Sequence, residues 1–207
     1  AKELLVPKYQ EASARAAIPR LQALLSAPEE VRHVPRILQE CGIRFVIVEA
    51  LKSAKRDGVC LWLDSHSPVI GMTMRFDRMD NFWFVLRHEL EHVLQGHGKE
   101  EPSLDVDLNG DVVDEEEKLA NAVASEFCAP KARIDSFIKR KAPIFPERDF
   151  LGLAKVLGVH PALVAGQIQF KTGRYDLFRS HLVKIRDRIL PNAVVDGWGD
   201  VAPVGLS

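Results

Sequence analysis

Apolar residues recur along the chain with two different periods, and the switches between them divide it into elements. From Tyr9 to Leu25, the residues Ala12, Ala16, Leu21, Leu24 and Leu25 form a helical stripe that Pro19 interrupts. Pro28-Glu29-Glu30 opens a second helix running to about Cys41, with Val31, Val34, Ile37 and Leu38 inward and Gly42 as the stop. Three strands follow at Ile43 to Val48, Gly58 to Leu63 and Val69 to Met74, the last two joined by the turn Asp64-Ser65-His66-Ser67-Pro68. The helical period returns at Phe82 and runs to Leu94 without Gly or Pro. Further helices span about 114–130 and Lys131 to Lys141. After the break from Pro143 to Pro146, Phe150 to Ile168 reads as two short helices around Gly158-Val159.

This order predicts an α+β fold: a small three-stranded sheet, a long helix, then a mostly helical carboxy-terminal part. Residues 1–27 read as a helix or connector of the kind that adjoins an upstream domain. Residues 28–190 form the main domain, and 191–207, with three glycines and two prolines, a loosely held tail.

The long helix carries His88-Glu89-Leu90-Glu91-His92. Residues four apart in a helix stand one above the other, so both imidazoles can meet one zinc ion, leaving a coordination position open for water. Glu89 lies next round the turn, where a carboxylate can act as general base. A third ligand is needed. A histidine three residues past a following glycine would require Gly at 95 and His at 98, but the chain has Gln95-Gly96-His97-Gly98, one residue out of register. His97 reads instead as part of a solvated helix end. A glutamate from the next helix is the alternative, and periodicity leaves Glu116 and Glu117 equally open. Asp80 reads as the amino-terminal cap of the motif helix.

The run Asp80 to His92, followed by Glu117-Lys118-Leu119-Ala120-Asn121 and Phe127-Cys128-Ala129-Pro130, resembles the ImmA/IrrE metallopeptidases over about residues 28 to 175. The resemblance implies a zincin-like fold in which Glu117, in the Glu-x-x-Ala-Asn pattern, completes the zinc site. Asn121, one turn on, is placed to orient that carboxylate or to cap a backbone group. It further implies an edge strand beside the motif helix that receives the substrate backbone, with the third strand as candidate. The implied substrate is a helix-turn-helix repressor in a stress, prophage or toxin–antitoxin circuit, and many family members carry their own amino-terminal helix-turn-helix domain. Glu91 stands where the family has a small residue, and Phe127-Cys128-Ala129-Pro130 replaces an aliphatic run before proline. The alternative reading is a non-proteolytic antitoxin or regulator domain that uses the fold for sensing or for binding a toxin partner.

Charge and composition narrow this further. Net charge is only −1, yet residues 100–117 carry nine acids and no base, while residues 131–190 carry thirteen Lys or Arg against five Asp or Glu. The basic half suits a solvated surface better than DNA, because the second of its short helices has no Arg or Lys to reach phosphates. No apolar run approaches the roughly 20 residues that span a bilayer, and the start lacks the apolar core of a secretory signal. Cys41, Cys60 and Cys128, widely spaced among apolar neighbours, read as buried reduced thiols, which makes the cytoplasm the expected compartment. For an oxyanion donor, His66, His160, Tyr175 and His181 are the candidates. His33 lies on a structural helix.

Overall fold

The computed structural model describes residues 1–2, 4–48, 57–99, 103–104, 115–197 and 200–202. Helix α1 (Glu11–Ala23) runs through Pro19 unbroken, with that ring on the exposed side. Its buried stripe is Ala14, Ala17 and Leu21, continued by Leu25, while Ala12 and Ala16 are exposed. Leu21 sets this phase, since Ala17 and Ala14 lie four and seven residues before it. The second predicted helix divides into a 3-10 stretch, Pro28–His33, and α2 (Val34–Glu40). Pro35 explains the division: it has no N–H to give to the carbonyl of Val31.

The strands β1 (Arg44–Val48), β2 (Gly58–Trp62) and β3 (Pro68–Thr73) stand where the pattern placed them. The sheet is nevertheless larger than three strands. After α3 (Met79–Gln95) comes β4 (Ser103–Leu104), then α4 (Glu115–Cys128), α5 (Lys131–Lys141), α6 (Glu147–Leu157), α7 (Pro161–Thr172) and α8 (Arg186–Ile189). The last strands are β5 (Val194–Gly197) and β6 (Asp200–Ala202). The strand order among the described residues is β4-β2-β3-β1-β5-β6, so the fold is α+β with a mixed sheet. β1 runs parallel to β3 and β5, and β2 antiparallel to β3 and β4.

Two expectations are corrected here. β3 is no edge strand: β1 and β2 pair with its two sides, and its apolar run Val69-Ile70-Gly71-Met72 is buried throughout, as suits a central strand. Nor is all of 191–207 loosely held, because Val194 and Val195 pair with Val46 and Ile47 of β1. Of the segment from Gly98 to Val112, only Gly98, Lys99 and β4 are among the described residues.

One buried cluster joins Ala14 and Leu21 of α1, and Leu25 in the turn after it, to the sheet residues Phe45, Ile47 and Ile70 and to Phe82, Trp83 and Leu86 of α3. A second holds α5, α6 and α7 together through Ile134, Phe137, Phe150, Val164 and Ile168. Gly158, at φ +68°, ends α6, and His160 caps α7 by accepting from Ala162 N–H at 3.1 Å. α7 buries Ala162 to Ala165 and Gln167 to Gln169, and so presents no open face of the kind a groove-reading helix needs. No single helix among the described residues is long and apolar enough to cross a membrane.

Candidate metal centre

Helix α3 is buried from Val85 to Leu94, so the polar side chains in that stretch, Arg87, His88, Glu89, Glu91 and His92, are held inside the protein. His88 and His92, 2% and 1% exposed, project from one ridge with their Nε2 atoms 3.0 Å apart. Helix α4 lies alongside, with Ala120 and Ala124 buried between the two and no bulk to hold them apart. That approach brings Glu117 across: Oε2 stands 3.2 Å from His88 Nε2, and Oε1 3.2 Å from His92 Nε2. Hydrogen bonds from His88 and then His92 hold the Glu117 carboxyl down to about 2. Glu116, left open beside it by the sequence, is largely exposed and faces His97 instead.

The donor atoms of His88, His92 and Glu117 all lie within 4.8 Å of one another, so this buried group could hold a metal ion. Its dimensions fit one. A tetrahedral centre with bonds of about 2.0–2.1 Å sets its ligands about 3.4 Å apart, close to the spacings found here.

The ring nitrogens facing away from the cluster are also engaged. A neutral imidazole that offers its Nε2 lone pair to a cation carries its proton on Nδ1. For His88, Asn121 Oδ1 is there to accept it at 3.1 Å. Asn121 thus orients a histidine, and not the carboxylate of Glu117 as expected. For His92, the neighbour of Nδ1 is His97 Nδ1 at 3.0 Å, which also faces the Glu116 carboxylate at 3.3 Å. His97 is no solvated residue: its side chain is 20% exposed and held at several points. Gly96, at φ +76°, closes α3 with its N–H on Val93 C=O, while His97 N–H returns to His92 C=O at 2.9 Å. The His97 carbonyl in turn accepts from Trp62 Nε1–H at 2.8 Å. The sequence signal was present in Gly96: a glycine closing a helix in this way folds the next residue back over the last turn.

Glu89 is 1% exposed and packs under β2, where only the absence of a side chain on Gly58 leaves it room. Glu91, the acid the family pattern lacks, is turned into a buried pair with Arg87 at 2.7 Å and also accepts from Gln95. Asp80 does not cap α3. Arg78 holds the cap position, and Asp80, in the first turn, accepts from its guanidinium. Of the four oxyanion candidates, His160 is a helix cap, His181 bonds Glu147, and His66 bonds Ser65. Tyr175 lines a cavity that also touches Phe84, whose ring stacks on His88 with centroids 6.2 Å apart. The three cysteines are free and buried.

A comparison of the chain with models of known protein families finds no match, and a comparison with curated proteins finds none either.

Proposed function

We propose that this protein is a zinc-dependent endopeptidase of the ImmA/IrrE type with a zincin-like fold, in which His88, His92 and Glu117 hold the metal and Glu89 is the general base. The observation that carries this reading is the meeting of three ligand side chains from two helices in a buried cluster, with a carboxylate on the intervening turn. A histidine pair alone arises readily from helical spacing. The carboxylate that joins it comes from another helix, at the position the family pattern implies.

Zinc bound there supplies a Lewis acid for the scissile carbonyl and lowers the pKa of water to about 7. Glu89 takes the proton of the attacking water on its carboxylate and delivers it to the leaving nitrogen. Asn121 and His97 fix the planes of the two imidazoles, so that both Nε2 lone pairs point to a common centre. The carboxylate of Glu117 is ready to bind a cation without first losing a proton.

A helix-turn-helix repressor is the substrate this reading favours, on the strength of the resemblance carried by His88 to His92 and Glu117 to Asn121. The test joins metal analysis to a cleavage assay on repressors encoded beside the gene. Zinc should be present at one per chain, and cleavage should be lost in Glu89→Gln while zinc is retained. A Glu89→Gln protein that cuts at the native rate would falsify the mechanism.

A further inference from the structure

Beside the metal cluster lies a cavity of about 510 Å³, walled by α3, α4 and α7. It begins one turn from two residues of the site. Phe84, which stacks on His88, forms part of its wall, and so does Ser125, one helical turn beyond Asn121. Three aromatic side chains line it yet stand open to water: Phe76, Phe170 and Tyr175, exposed by 50%, 67% and 60%. Exposed aromatics gathered around one concavity characterise a surface that binds a polypeptide, since each contributes large contact area at low entropic cost.

The polar groups of the cavity indicate what enters. Its two guanidiniums are already matched, Arg78 by Asp80 and Gln169, and Arg75 by Asp57 at 3.0 Å. A charged side chain therefore finds no unmatched counter-charge. Gln167, only 9% exposed, lines the cavity and makes no side-chain hydrogen bond among the described residues, and the same holds for Asn81 and Ser125. Neutral amides with free donors and acceptors suit the backbone of a peptide, whose own groups are of the same kind.

We infer that this cavity receives a bulky apolar side chain, aromatic or long aliphatic, from the polypeptide that lies across His88, His92 and Glu117, and so selects the bond to be cut. The inference rests on the peptidase reading and names its substrate class.

The test has a binding arm and a cleavage arm. In the first, the zinc-loaded full chain carrying Glu89→Gln is used to select from a random peptide library, and the retained sequences are read. Phe, Tyr, Trp, Leu or Met should dominate at one fixed position. That preference should fall by about tenfold in Ser125→Phe, which fills the cavity, and in Phe76→Ala/Phe170→Ala, which alters only exposed side chains and leaves the fold intact. In the second arm, wild-type protein cuts the same library, and the cut positions are mapped by mass spectrometry. Selection without apolar preference, or a preference that survives both variants, overturns the inference. So does N-acetyl-phenylalaninamide binding as tightly as the selected peptides, which would mark a small-molecule site. Cutting with no apolar preference near the cut removes the cavity's role and leaves the peptidase standing. Apolar selection without any cutting removes the peptidase and leaves a peptide-binding cavity.

Discussion

Glu89 occupies the space that a side chain on Gly58 would take: a Cβ built on Gly58 meets Glu89 Oε1 at 2.3 Å and its Cδ at 2.8 Å. The strand and the helix are thus fitted to each other at the proposed base. Gly58→Ala must displace that carboxylate, and a shift of about 1 Å in a catalytic group lowers rates by about 100-fold. The expected result is a fall of that order in cleavage with zinc content unchanged. Activity near the native value would show that Glu89 does not act from this position.

Metal binding should be linked to stability, because the folded state alone brings His88, His92 and Glu117 together. Zinc at about 100 times its dissociation constant should stabilise the fold by about 2.7 kcal/mol, raising the melting temperature until a chelator is added. Glu117→Ala should show no such rise. Equal stabilisation of wild type and Glu117→Ala in a calorimetric titration would place the metal elsewhere.

The residues behind the ligands should matter nearly as much. Asn121→Ala and His97→Ala each remove the partner of an Nδ1 atom and should weaken zinc binding by about 10- to 100-fold, read by competition with a chromophoric chelator. Gly96→Ala forces an alanine to φ +76°, at a cost of about 1–2 kcal/mol, and should also loosen His97. A Gly96→Ala protein with unchanged melting temperature and unchanged zinc affinity would contradict the role assigned to this helix end.

High pH should unfold the protein sooner than its ordinary ionisable groups would require. Burial pushes the Cys60 and Cys128 thiols up, and burial followed by the nearby Glu11 raises the Tyr9 hydroxyl to about 12. These groups stay protonated in the folded chain at pH values where the unfolded chain has released its protons. Their contribution to stability is therefore full below about pH 9 and falls as pH rises through 10 toward 12. Denaturant midpoints across this range should drop, and alkylation of native protein at pH 7 should label none of the three cysteines. Rapid labelling of Cys60 would contradict its burial.

The pairing of His88 with His92 was legible because helix geometry fixes it wherever a helix forms, and every neighbour from Phe82 to Leu94 favours one. Choosing Glu117 over Glu116 was different, since adjacent residues on α4 differ by only about 100° of rotation and apolar neighbours flank both. Family resemblance chose between them, and the distances to the imidazoles agree with that choice. The central position of β3 is not legible in the chain order, because strand pairing is a tertiary matter, although its unbroken apolar run points to burial on two faces. Local steric effects caused smaller errors: Pro35 splits one helix, Pro19 fails to break another, and Arg78 displaces Asp80 from the cap. Asn121 meets His88, a partner on another helix that spacing along α4 alone does not reveal. His97 reads as solvated only if α3 continues, and Gly96 ends that helix and folds His97 back over its last turn.

Val46 finds its neighbour on one side in Gly71 and on the other in Val194. A ribosome making this chain releases β1 early and β5 only near the close of the described sequence. Until then, one flank of β1 offers open amides and carbonyls to any strand that passes. Pairing along that flank must therefore follow synthesis of residue 197, and a nascent chain stalled before that point leaves β1 open to aggregation.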